Sequence, residues 1–316
     1  MSSTSNRWIP TPAKQIKILI VWSIVITYFY ISILPTKKDK DSTKTSNNSV
    51  KRFVPDYESC IKRPPEAIII CVPRCGTRTL ANFLQDHPNI AIKDTDILYF
   101  DKASNRSLGW YIDQMPCSKS NQITIERTAS YFRNEPTPER MYNWNQNVKL
   151  IITFKEPIER LISDYVGFKD EGIVEKNVLF EDYCTIKNRT DVNGKAWAVA
   201  TSNYQHYMKI WLRYFKLEQI LIFNGTNFIA NPSNELTKVE DFLGIGNYFT
   251  PDRFVFNTTK GKYCIVRNGI PSCMSKRKGR PHPTVDPNVR HILQNYYKPF
   301  NEQFFEMIGK RFEWGY

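Results

Sequence analysis

The apolar positions of this chain fall into two alternating periods. Ala67–Val72, Asn147–Phe154 and Gln219–Phe223 are short, nearly continuous apolar runs, the mark of strands buried on both faces. Between them the spacing changes to that of helices. From Thr77 to about Gln85 it puts Leu80, Phe83 and Leu84 on one face. After Pro157 it puts Ile158, Leu161, Ile162 and Tyr165 on another, with the proline at the first helical position. Tyr204, Tyr207, Met208, Trp211, Leu212 and Phe215 predict a further helix, as do Asn234–Leu243 and the stripe Val289, Ile292, Leu293, Tyr296 and Tyr297. Alternating strands and helices imply an α/β domain of three layers, with a mostly parallel central sheet and helices on both faces. Ligands in such sheets bind beyond the carboxyl ends of the strands. The loops after Val72 and Phe154 are therefore expected to open onto one crevice. No repeat of 20 to 50 residues is present.

A different pattern precedes the domain. Ile18–Leu34 is apolar apart from Ser23, Thr27, Ser32 and its tyrosines, with Arg7, Lys14 and Lys17 before it and Lys37 and Lys38 after it. No small-residue cleavage site stands out, so the stretch reads as an uncleaved signal-anchor. The expected organisation is a cytoplasmic tail at 1–17, a transmembrane helix at 18–34, a polar stem at 35–59 and a lumenal domain at 60–316. Five N-x-Ser/Thr sequons follow the span, at Asn47, Asn105, Asn188, Asn224 and Asn257, as glycosylation in a lumen would require. Seven cysteines are present without a C-x-x-C pair, so no metal site is expected. Cys264 and Cys273 would close a short local loop in an oxidising compartment, and the odd count leaves at least one thiol over.

Composition narrows the partners. The chain is 41% hydrophobic and 14% aromatic, as globular proteins are, and carries a net charge of +13. Residues 1–50 hold seven Lys/Arg against two Asp, which leaves +8 on residues 51–316. A basic folded part favours nucleic acid, anionic lipid or an acidic polysaccharide.

Three segments carry candidate chemistry. In Val72-Pro73-Arg74-Cys75-Gly76-Thr77-Arg78 a strand enters a tight basic loop and then a helix, so that backbone N–H groups, Arg74 and Arg78 can converge on a phosphate. The Walker A order is absent, because the basic residue precedes Gly76. In the second segment Lys155 ends a strand and Ser163 lies two turns into the next helix, where they could hold another phosphate. In the third, Lys278-Gly279-Arg280-Pro281-His282-Pro283, two cations around a glycine could close over a bound nucleotide. Cys75 lies where a thiolate would be favoured, and reads as a packed, inert thiol.

These segments, with Trp110-Tyr111, Gln122–Glu126, Tyr131-Phe132, Pro138-Glu139-Arg140, Glu156-Pro157, Ser163-Asp164-Tyr165 and Tyr263-Cys264 in the same order, resemble the Golgi heparan sulfate glucosamine 3-O-sulfotransferases from about Pro64 to Tyr316. The resemblance implies a P-loop-like sulfotransferase fold and the donor 3′-phosphoadenosine 5′-phosphosulfate. It implies a heparan sulfate acceptor rather than nucleic acid, and a single-pass type II protein of the Golgi membrane. Arg74, Cys75, Gly76, Thr77 and Arg78 would then hold the 5′-phosphosulfate, Lys155 and Ser163 the 3′-phosphate, and Lys278, Gly279 and Arg280 the nucleotide. Asp96 falls on the catalytic acidic residue, and Arg74 on the lysine that acts at the leaving group. Asp101 and Arg127 fall on acceptor-side positions.

The chain also departs from the family pattern. The family has Lys at Arg74, Glu at Asp96, His at Leu98, Arg at Pro73 and Gln at Gly167. Arg74 can stabilise charge but does not readily give up a proton. Tyrosylprotein sulfotransferases, whose loop is similar, also place Arg there. The donor side is better kept than the acceptor side, which leaves two further readings: a different acceptor, such as another glycan or protein tyrosine, or a protein that binds donor or glycan with little turnover.

Overall fold

The computed structural model describes residues 60–273 and 282–315, all within the chain's second compact unit, Tyr57–Tyr316. The span expected at 18–34, the stem, Asn47, and Lys278, Gly279 and Arg280 lie outside the described residues. Among the described residues no helix is long and apolar enough to cross a membrane.

Five parallel strands form the central sheet: β1 (Ala67–Ile70), β2 (Ile90–Lys93), β3 (Ile123–Arg127), β4 (Lys149–Phe154) and β5 (Ile220–Asn224), in the order β2-β3-β1-β4-β5. The helices that place the site are α1 (Thr77–Leu84), α2 (Pro157–Asp170), α3 (Tyr204–Trp211), α4 (Pro232–Leu243) and α5 (Pro287–Ile308).

Residue alternation along β1 explains the layers. Ile68 and Ile70 face a core with Leu150 and Ile152 of β4, Met208 and Trp211 of α3, and Phe304 and Ile308 of α5. Ala67 and Ile69 face the opposite core, with Leu80 and Leu84 of α1 and Leu236, Val239 and Leu243 of α4. Successive side chains on a strand point to opposite faces, so a run apolar at every position must be covered on both sides. A third cluster packs Ile158, Leu161 and Ile162 of α2 against Val289, Leu293 and Tyr297 of α5.

The last helix continues past Tyr297, through Pro299, to Ile308, where Gly309 ends it with φ 64°. A small antiparallel sheet, Phe254–Asn257, Lys262–Arg267 and Ile270–Ser272, borders the core below α1. Disulfides join Cys60 to Cys117, Cys71 to Cys75 and Cys264 to Cys273. Cys75 is therefore bridged rather than the packed thiol expected. Cys184 is unbridged and buried, and burial pushes its thiol up to about 12.

Candidate active site

The strand order places the ends of β1, β3, β4 and β5 around one cleft of about 720 Å3. The chain leaves β1 and turns sharply, with Arg74 at φ 72° and Gly76 at φ 104°. The second value suits glycine, which has no Cβ to oppose it. Gly76 then starts α1, where no side chain caps the first turn and no acidic residue occupies it. The first N–H groups of a helix lack intrahelical partners and carry its positive dipole end, so this terminus favours an anion.

The back of the loop is tied to its neighbours. Thr153 Oγ1 donates to the carbonyl of Cys75 at 2.8 Å, and Arg160 Nη1 donates to that of Pro73 at 3.3 Å. Gly225, after β5, lies so close that a Cβ there would sit 3.1 Å from the carbonyl of Phe154 and 3.3 Å from that of Cys75. The loop is thus held in shape before any ligand arrives.

α2 supplies a second group of cations. Glu156 caps it, accepting from the N–H groups of Ile158 and Glu159 at 2.9 and 2.7 Å. Lys155 faces the cleft just ahead of this cap. Burial pushes its ammonium below the usual lysine range, partly offset by the charges of Glu159 and Glu156. Among the described residues no carboxylate forms an ion pair with Lys155, and a desolvated cation is stabilised by an incoming anion. Ser163 lines the same wall.

Arg160 is fully buried and donates to Ser202 Oγ at 2.8 Å and to Asp164 at 2.7 Å. Asp164 also accepts from Arg74 Nε at 3.3 Å, and Glu171 accepts from Arg74 Nη2 at 3.0 Å. The guanidinium of Arg74 therefore lies on α2, over Gly167. A Cβ at that position would overlap its Nη2 and come within 2.6 Å of its Cζ. Lower down, Glu159 takes Arg290 at 2.9 Å and His282 at 3.3 Å. Burial works against the charge of Glu159, but the Arg290 hydrogen bond and charge hold its carboxyl below the usual range.

The opposite wall is acidic. Asp96 Oδ1 accepts from Arg127 Nη1 and from the N–H of Ala129, each at 3.0 Å, and the side chain keeps 40% of its surface exposed. Arg127 is almost wholly buried and donates Nε to the carbonyl of Asp94 at 2.6 Å. Asp101 accepts from Ser130 Oγ at 3.1 Å and Asn134 Nδ2 at 2.5 Å. Leu98 adopts φ 61° between these two acids, in the turn that brings both to the cleft. Behind them Glu126 is fully buried. Desolvation pushes its carboxyl up, against the hydrogen bonds from Thr128 and Tyr111.

Arg74, Cys75, Gly76, Thr77, Arg78, Asp96, Asp101, Arg127, Lys155 and Ser163 thus all border one cleft, although the sequence spreads them over four strand ends, β1 to β4. His282 borders it too. Gly225 and Arg133 were not singled out in the sequence, and Glu126 and Asp164 stood there only within matched segments, without a role. Glu126, Asp164 and Gly225 act by burial or close approach, which periodicity does not reveal. Among the described residues no group of His, Cys, Asp and Glu is arranged to hold a metal ion.

Asn105 and Asn188 are exposed and Asn257 is partly so. Asn224 is buried, and its Oδ1 accepts from the N–H of Thr226. The cap uses Oδ1 and would survive attachment at Nδ2, but the burial of Asn224 beside the Cys75–Gly76 turn leaves little room for a bulky glycan.

Comparison with known proteins agrees with this geometry. Residues 64–308 match the family model described as sulfotransferase domain. The chain is 35% identical over 295 residues to mouse heparan sulfate glucosamine 3-O-sulfotransferase 3B1, covering 89% of this chain and 75% of that protein. It is 39% identical over 273 residues to mouse heparan sulfate glucosamine 3-O-sulfotransferase 5, covering 84% and 78%. Among solved structures, a sulfotransferase from Alicyclobacillus acidocaldarius superposes with a TM-score of 0.59 at 18% identity, over 80% of this chain and 99% of that one, which supports the fold.

Proposed function

The chain belongs to the heparan sulfate glucosamine 3-O-sulfotransferases, and from that premise we propose that it moves sulfate from 3′-phosphoadenosine 5′-phosphosulfate to the 3-hydroxyl of a glucosamine in heparan sulfate. One observation carries the reading. A half-exposed carboxylate, Asp96, faces the same cleft as an uncapped helix terminus flanked by Arg74, Arg78 and Lys155.

In this account the loop N–H groups at Gly76–Arg78 and the Arg78 guanidinium hold the phosphosulfate. Lys155 and Ser163 take the 3′-phosphate, where the buried ammonium gains a counter-charge. Lys278, Gly279 and Arg280 are assigned to the nucleotide by sequence. Asp96 accepts the proton of the sugar hydroxyl while that oxygen bonds to sulfur. The bond from sulfur to the bridging oxygen breaks, and adenosine 3′,5′-bisphosphate departs with the electron pair. Negative charge grows on that oxygen, and fixed cations and N–H groups stabilise it most where water is excluded. Arg74 contributes charge and not a proton. Arg127 holds Asp96 in position, as a base must be held.

The Golgi lumen, the type II signal-anchor at 18–34 and glycans at Asn47, Asn105, Asn188 and Asn257 belong to the same proposal, supported by the sequence pattern alone. Asp96→Asn tests the chemistry. It should lower transfer by at least about a hundredfold, as loss of a general base does, and leave bisphosphate affinity within about twofold by calorimetry. Wild-type turnover in this variant would remove Asp96 as the base.

A further inference from the structure

A second cavity of about 400 Å3 opens beside the acidic wall and shares Asp101, Lys102, Ser130 and Arg133 with the main cleft. Its remaining lining includes Asn134 and Glu135. The unusual group in it is Arg133. Its guanidinium lies over the ring of Trp197, 4.4 Å from the ring centre. Its Nε is buried with no hydrogen-bond partner, and among the described residues no carboxylate pairs with it. An arginine offers five donors in a rigid fork, and leaving the buried Nε donor unmet is costly unless a ligand supplies an acceptor. The acids nearby are already engaged. Asp101 accepts from Ser130 and Asn134, and Glu135 pairs with His206 at 2.9 Å. Lys102, exposed at the rim, adds a second cation. The neighbouring Asn134 Oδ1 is also buried without a partner, an acceptor suited to a hydroxyl.

Chain geometry places this annex relative to the reacting centre. Asp96 binds the N–H of Ala129, the first residue of the 3-10 turn Ala129–Arg133. Four steps of such a turn advance about 8 Å, at roughly 2 Å per residue. That distance is within reach of a neighbouring sugar of the same polysaccharide chain. We propose that the annex binds an anionic group, sulfate or carboxylate, on a sugar adjoining the one that is sulfated, with Arg133 as its specificity-determining contact and Asn134 accepting from a hydroxyl beside that group. This deepens the function proposed above and rests on it.

The test compares wild type, Arg133→Gln and Arg133→Lys as full chains at saturating donor. On heparan sulfate, Arg133→Gln should raise the acceptor KM about five- to tenfold, with kcat and donor KM unchanged, and Arg133→Lys should recover part of the loss. The difference should vanish on carboxyl-reduced heparan sulfate if the group is a carboxylate, or on O-desulfated heparan sulfate if it is a sulfate. Affinity for a heparan sulfate oligosaccharide in the presence of adenosine 3′,5′-bisphosphate should fall by the same factor. That binding measurement decides the matter even where turnover is low. An unchanged acceptor KM and affinity in Arg133→Gln, or a difference that persists on both stripped acceptors, overturns the annex while leaving the sulfotransferase reading intact. Absence of transfer with normal Arg133-dependent binding would instead strike the reading of the reaction.

Discussion

Arg74 and Gly167 belong to different elements and share one volume. The guanidinium that follows β1 lies on α2 where a side chain at 167 would stand, and Asp164 and Glu171 hold it there. The two departures that the resemblance implies, Lys to Arg at 74 and Gln to Gly at 167, therefore touch: the forked cation occupies the room that glycine leaves. Gly167→Gln alone should destabilise the protein by about 1–3 kcal/mol, the usual cost of overpacking. It should also lower turnover by dislodging Arg74. Combined with Arg74→Lys it should be far milder, with an interaction energy of at least about 1 kcal/mol in a double-mutant cycle of unfolding, within the range for touching residues. Strictly additive effects would show that the two sites are independent.

At the scale of elements, α2 is the brace of the donor side. It positions Lys155 at its entry, Ser163 on its cleft face, and Arg160 and Asp164 beneath the loop. Its start depends on Glu156, whose carboxylate satisfies two backbone N–H groups ahead of Pro157. Glu156→Ala should cost about 1 kcal/mol through the lost cap, which for a domain of this size lowers Tm by about 2–4 °C. An unchanged Tm in calorimetry would mean that packing alone holds the helix start. α2 was legible from Pro157 and its apolar stripe, and β1, β4 and β5 from their apolar runs. β3 was noticed as a motif, not as a strand. Three of its five residues are polar, yet they are buried: Thr124 donates to Ser118, Glu126 accepts from Tyr111, and Arg127 holds Asp96. Their partners are distant in sequence, so no local pattern marks the strand. The same holds for the Cys60–Cys117 bridge, which spans 57 positions.

At the scale of the whole molecule, the parallel sheet gathers the loops after all five strands at one end, and there the separate motifs become one site. The cleft residues Arg74–Arg78 could be picked out in the sequence, because a basic strand–loop–helix has a local signature. The acceptor side could be read only in part. Arg133 and Trp197 meet through folding, and nothing in their spacing announces it. The net positive charge of residues 51–316 fits an acidic polymer as the second substrate. The most direct measurement is to incubate the purified chain with radiolabelled sulfate donor and heparan sulfate, digest the product and identify the labelled disaccharides. Label on the glucosamine 3-hydroxyl is the result this account predicts. Donor binding with label at another hydroxyl, or with no label on heparan sulfate at all, would contradict it.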